Sequence, residues 1–285
     1  FYRKDLFEKY GVEVPKTWAQ FAAVAEAVHK QDPTVQITHF PQRDTGWFAG
    51  LASQNGARWA QIDGDKWLVN IDDAPTEEVA KYWQNLIDRG LVANMQGFSQ
   101  QWNKALADGK LLTWVSAVWG NATLASNVPT TSGKWALAPM PTWKDGEHTA
   151  ANWGGSSTAV LRGSDHPYEA AQFALWLNTD PDSLKLLNQN GGLYPATRAG
   201  LDLPFLKQPS QFYGGQHIFD VFAQAADNVD PDFIWSPTMT QTYASLADGF
   251  GAALGGDSTL SEALVGAQED TITAMRLQAL EVERK

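Results

Sequence analysis

The chain has 285 residues, 44% of them apolar and 13 of them tryptophan, with a formal net charge of −11. That length allows one large or two ordinary domains with ample core, and the acidic balance argues against nucleic acid and anionic membrane surfaces as partners. No apolar run approaches the span of a bilayer, and the lack of cysteine excludes disulfides, thiolate metal sites and cysteine nucleophiles.

Phe1 to Phe7 runs straight into a helical pattern with no leader, so a fragment or processed form is expected. Thr17 and Gln20 make a capping box for a helix whose stripe is Phe21, Val24, Ala25 and Val28. Val35 to Phe40 reads as a strand stopped by Pro41, and the polar, aromatic loop Gln42 to Trp47 follows it. The carboxyl end of such a strand is where open α/β sheets bind ligands. Ala60 to Ile71 predicts a hairpin turning at Asp63-Gly64, and the other ligands of a calcium loop are missing there. A helix starts at Thr76, carries Glu77 and Glu78 in its first turn, buries Val79, Trp83, Leu86 and Ile87, and stops at Gly90. Ser99 to Asp108 is a short helix, and Leu111 to Ser116 a buried strand leading to Val118-Trp119-Gly120-Asn121.

The stretch Trp135 to Leu161 then carries two short apolar runs around a polar, aromatic loop. Pro139 and Pro141 end the first run as a linker strand. Glycines bound the second, Ser157 to Leu161, which reads as a buried strand. Trp143, Asn152, Trp153, Gly154 and Gly155 lie between, suited either to a polyhydroxylated ring or to anchoring the loop. A helix from Pro167 is expected to turn Ala170, Phe173, Ala174 and Leu177 inward, and Asp180-Pro181 starts another that ends at Gly191-Gly192. Leu193 to Arg198 is a restricted loop, residues 202–217 are irregular, and helices cover about 217–227, 238–254 and 258–280. Alternating strand and helix predicts an α/β fold, and the mid-chain crossing predicts two lobes with discontinuous boundaries.

The tryptophan load in an acidic chain points to carbohydrate recognition. A sugar offers apolar C–H faces and hydroxyls, so its site needs flat aromatics and planar polar groups. Trp47, Trp119, Trp153 and Trp235 with Asp44, Asn121, Asn152 and Arg198 could supply both, core filling being the alternative for each tryptophan. Trp18, Trp83, Trp102, Trp114 and Trp176 sit in helical or strand stripes and are assigned to the core. The five histidines lack paired metal spacing, so neither metal nor cofactor is expected.

The phrases YRKDLFEKYG and PKTWAQF, ALADGKLLTWVSAVWGNA, LAPMPTW with WGGSS, PYEAAQFALWL, NQNGGLYPATR and STLSEALVGAQ come in an order that spans the chain. In this the sequence resembles the solute-binding proteins of bacterial ATP-driven sugar importers, the maltose-binding-protein-like family. The resemblance implies a periplasmic-binding-protein-like fold of two α/β lobes joined by hinge crossings. Residues 1–138 and 179–285 would form the second lobe, and 139–178 would return to the first. Family members carry a further segment before the tyrosine phrase, so the first lobe is expected to be incomplete. The resemblance places Asp44, Trp47, Trp119, Trp153, Gly154 and Gly155 in an inter-lobe cleft, with Tyr194 and Arg198 in a loop at its edge and Trp235 to Tyr243 overlapping a second aromatic region. Where maltose-binding relatives carry an adjacent aromatic pair, this chain has Thr242-Tyr243. It further implies a monomer without catalytic activity that serves membrane permease subunits of an ABC importer. Its location would be extracytoplasmic, in the periplasm or lipid-anchored on the outer face of the membrane. A glycoside hydrolase and a binding protein for a polyamine or peptide are the competing readings.

Overall fold

A computed structural model describes residues 1–285. β1 (Tyr2–Arg3) leads into α1 (Lys4–Tyr10), α2 (Trp18–Gln31), β2 (Thr38–His39) and α3 (Thr45–Gln54). The hairpin β3 (Ala60–Asp63) and β4 (Lys66–Val69) precedes α4 (Ala74–Asp88), β5 (Val92–Ala93), α5 (Gln100–Ala107), α6 (Gly120–Asn127) and β6 (Trp135–Ala136). After α7 (Pro167–Thr179), α8 (Pro181–Gly191) and α9 (Arg198–Leu201) come α10 (Ile218–Ala226), α11 (Met239–Gly255), α12 (Leu260–Leu277) and β7 (Val282–Arg284).

β1, β2, β5 and β6 assemble with residues 111–113 into one mixed sheet, and β3, β4 and β7 form a second. β5 lies parallel to β2, and residues 111–113 run along the other edge of β2, where Thr113 N–H donates to the Ile37 carbonyl at 2.8 Å. Tyr2 bridges Thr113, and β1 pairs antiparallel with β6, giving the order β5, β2, 111–113, β1, β6. Successive side chains on a strand point to opposite faces. Val92 and Leu112 accordingly enter one core with Trp18, Trp83 and Phe250, while Ala93 and Leu111 enter the other with Trp102, Trp114 and Phe222. The sheet therefore separates two cores, and Trp153 packs against both.

Local chemistry sets the element ends. Thr17 Oγ1 accepts from Gln20 N–H at 3.2 Å, but Gln20 Oε1 takes the amide of Lys16 in place of Thr17's, so the expected capping box is closed one residue further out. α4 begins before the expected Thr76, because Asp73 accepts from the Thr76 amide at 2.9 Å and Pro75 fits the first turn. Asp63 pairs with Lys66, so the hairpin turns on Gly64-Asp65, with Gly64 at φ 61. β7 adds parallel to β4, a strand that the short sequence VER did not announce.

The segment after the linker strand departs from expectation. From Trp143 to Asp182 no residue is buried. Ser157 to Leu161 forms no strand, and Leu161 is 78% exposed, since no neighbouring strand offers the hydrogen bonds that would fix one. α7 forms as expected, yet Ala170, Phe173, Ala174 and Leu177 face no core, and Trp176, assigned to the core, is 48% exposed.

Candidate functional site

Three parallel strands end on the same edge of the sheet, and the loops that follow them gather one group of side chains. Asp44 follows β2 as the cap residue of α3, but its carboxylate makes no cap bond and no other hydrogen bond within the protein, and burial pushes it above the usual carboxylate range. Gly97 and Phe98 follow β5, just ahead of Ser99, which caps α5. Trp119 follows residues 111–113 and precedes α6.

Two further aromatics close the group. A carbon placed on Gly46 would stand 3.5 Å from Tyr243 Oη and 3.6 Å from Trp153 Cδ1, so the first turn of α3 meets α11 and the returning chain at one point. Thr45 Oγ1 donates to the Tyr243 carbonyl at 3.1 Å and ties that junction. Trp153 and Trp119 are edge to face at 4.8 Å, with Trp119 Nε1 donating to the Trp153 carbonyl at 3.3 Å. Phe98 completes the circuit 6.0 Å from Trp119 and packs also on Trp102 and Trp114. Asp44 adds a carboxylate that no protein group uses at the same strand edge, 3.9 Å from a carbon placed on Gly97, and burial raises the Tyr243 phenol to about 12, which keeps it a neutral donor.

Of the residues expected in the site, Asp44, Trp119, Trp153 and Tyr243 converge. Trp47 does not join them. It is 4% exposed in the core against Phe40 and Trp83, and its Nε1 donates to the Val115 carbonyl. One turn into α3, its side chain falls on the sheet side, where burial of the indole wins over exposure. Asn121 uses its amide to bond the Val118 carbonyl at 3.0 Å. Arg198 opens the short α9, exposed and without an ion pair or hydrogen bond. Trp235, 43% exposed, rests edge to face on Phe233 beside a cavity of about 140 Å³ that Asn152 also lines.

A larger cavity of about 940 Å³ has the Trp119–Trp153 pair in its wall. Trp119, Asn152, Trp153, Gly154, Gly155 and Tyr194 line it, with Tyr194 stacked on Phe219. Phe1, Trp114, Leu177, Leu187 and Phe222 make it mainly apolar, and no charged side chain faces it. Sugar hydroxyls need planar polar groups, which the amides of Asn152 and Asn178 supply here, and Asp44, outside this lining, offers a free carboxylate as well. Sequence reasoning missed Gly97 and Phe98. The signal was available, because GFS sits between a buried strand and a helix cap, the position at which ligand loops form.

The family model described as bacterial extracellular solute-binding protein matches residues 1–182. The arabinooligosaccharide-binding protein of Halalkalibacterium halodurans is 24% identical over 283 residues, a match covering 94% of this chain. The chain spans about 62% of that relative's length. The ABC-transporter-associated binding protein of B. animalis subsp. lactis Bl-04, solved with β-1,6-galactobiose, aligns at TM-score 0.89 and 27% identity over 99% of this chain and 72% of its own. The binding protein of Bifidobacterium longum, solved with lacto-N-biose, aligns at TM-score 0.88 and 28% identity over 99% and 69%.

Proposed function

The chain belongs to the bacterial extracellular solute-binding proteins, and from that premise we propose that it binds a neutral di- or oligosaccharide against Asp44, Phe98, Trp119, Trp153 and Tyr243. The fold is the two-lobed α/β fold of periplasmic sugar-binding proteins. The observation that carries the reading is the free Asp44 carboxylate beside Gly97-Phe98 and the Gly46 junction of Tyr243 and Trp153, at the carboxyl edge of parallel strands. Flat rings match the C–H faces of a sugar, and the carboxylate accepts from its hydroxyls. Asn152, Gly154, Gly155, Tyr194, Arg198 and Trp235 would serve the first lobe's side of the cleft or a longer ligand.

In this reading residues 1–138 and 179–285 make the second lobe and 139–178 return to the first. Support comes from the run between Trp143 and Asp182, in which no side chain is buried although both flanks are. Ligand contacts divided between two lobes favour the closed form, so binding shifts the population toward closure. Membrane permease subunits of an ABC importer would then receive the sugar from a monomeric receptor outside the cytoplasm, free in the periplasm or held by a lipid anchor. No bond is made or broken.

Calorimetric titration with β-1,6-galactobiose, lacto-N-biose and arabinooligosaccharides tests this, with chromatography of the same mixtures. Micromolar binding of at least one sugar without new products is the expected result. Absence of any heat of binding would overturn the reading, and released product would replace it with a glycoside hydrolase.

A further inference from the structure

Behind Phe98 lies a buried imidazole with one side free. His39, in β2, is 4% exposed, and its Nδ1 accepts from Trp102 Nε1 at 3.1 Å. Burial lowers it to about 4, so near neutral pH the ring is uncharged and carries a single N–H. With Nδ1 acting as acceptor, that proton sits on Nε2, which has no hydrogen-bond partner in the protein. Trp102 is thus the positioning residue that sets the tautomer.

Nε2 points to the space beside Gly97. That glycine is not among those at positive φ, so its backbone does not require glycine. A carbon added there would stand 3.1 Å from His39 Nε2 and 3.9 Å from Asp44 Oδ2. A hydrogen-bond donor and an acceptor therefore converge beside residue 97, at a gap that a methyl group there would crowd.

We propose that this gap holds one hydroxyl of a neutral polyol, whose oxygen accepts from His39 Nε2–H and whose proton is donated to Asp44. A hydroxyl is the simple group that does both. An ammonium cannot accept from Nε2–H, a carboxylate cannot donate and is repelled by Asp44, and a methoxy group lacks the proton. The nook selects an unsubstituted sugar hydroxyl, and the assignment rests on the carbohydrate reading above.

Two substitutions at one position separate binding from structure. His39→Asn keeps an oxygen where Nδ1 accepts from Trp102 but loses the outer donor. His39→Gln restores an outer N–H and gives up the inner bond. With whichever of β-1,6-galactobiose, lacto-N-biose or arabinooligosaccharide binds the unaltered chain, His39→Asn should bind roughly ten-fold more weakly at an unchanged thermal midpoint. His39→Gln should keep most of the affinity at a lowered midpoint. Gly97→Ala, which fills the gap, should also lose roughly ten-fold. Affinity that follows the midpoint in the two His39 variants, or sugar binding unaffected by His39→Asn and Gly97→Ala, overturns the assignment and leaves the carbohydrate reading intact. No sugar binding by the unaltered chain overturns both.

Discussion

Phe98 holds φ 62, a left-handed conformation that costs a bulky residue about 1 kcal/mol or more. The ring remains 43% exposed, so packing alone does not account for it. Phe98→Gly relaxes the backbone while deleting the ring. Differential scanning calorimetry should find the midpoint within about 2 °C of the unaltered chain, while sugar affinity drops. Loss of both together would mark Phe98 as a core residue. His39 carries a pH prediction of definite sign. Its ring takes a proton near 6.5 when unfolded and only near 4 when folded, so the unfolded chain binds more protons in that window. Stability is full above 6.5 and declines as pH falls toward 4, by about 3 kcal/mol in all. Asp44, raised by burial, titrates with the opposite sign and offsets part of the decline. Urea midpoints measured between pH 7 and 4.5 should fall, and His39→Asn should flatten that slope. At this scale the sequence was half legible. Asp44 and Trp119 follow strands and stand out, whereas Trp47 looks identical to them in sequence and only the side of α3 that faces the sheet decides its burial.

Gln54, at the end of α3, shows how one buried amide joins several elements. Its Oε1 accepts from Trp18 Nε1 at 3.0 Å, and its Nε2 donates to the carbonyls of Pro141 at 2.8 Å and Thr149 at 2.9 Å. Gln54→Leu strands these partners without replacement, and a chemical denaturation series should show a loss of about 3 kcal/mol. A loss under about 1 kcal/mol would mean that water takes over the bonds. Gly50 acts on the same crossing from one turn earlier. A carbon there would stand 2.4 Å from the Asn152 carbonyl oxygen. Gly50→Ala must therefore push the 150–153 chain outward, carrying Trp153 off Trp119, and affinity should fall more than stability. Helices were legible almost throughout, because Thr17, Ser99, Asp180 and Thr259 each cap with a side-chain bond where a periodic stripe begins. Strands were not, because Val35 to Phe40 is hydrogen-bonded along both edges but contributes a regular strand of only Thr38–His39. The failed strand at Ser157 to Leu161 has another cause. Its composition is right, and what it lacks is a neighbour.

At the scale of the molecule, protection is divided as sharply as burial. α11 and α12 pack on each other and send Leu246, Phe250, Leu264 and Met275 into the main core, while α7 buries nothing. Backbone amides open in proportion to the contacts that must be lost. Hydrogen exchange should thus label α7 and residues 154–163 well before α11 and α12, and equal protection would refute the contrast in burial that begins at Trp143. Phe173 and Trp176, 57% and 48% exposed, mark the face involved. The edge-to-face pair of Trp119 and Trp153 gives the whole molecule an optical property. At 4.8 Å and a tilt of 64° their transition dipoles couple, and the sign and size of the resulting near-ultraviolet circular dichroism depend on that tilt. Trp18, Trp59, Trp83, Trp102 and Trp135 are locked in the cores and contribute a steady background, while Trp114, 5.7 Å from Trp119, shares the coupling. Any occupant that wedges one indole against the other changes the coupled signal above that background, so the chain carries its own gauge of occupancy, with no dye or label attached.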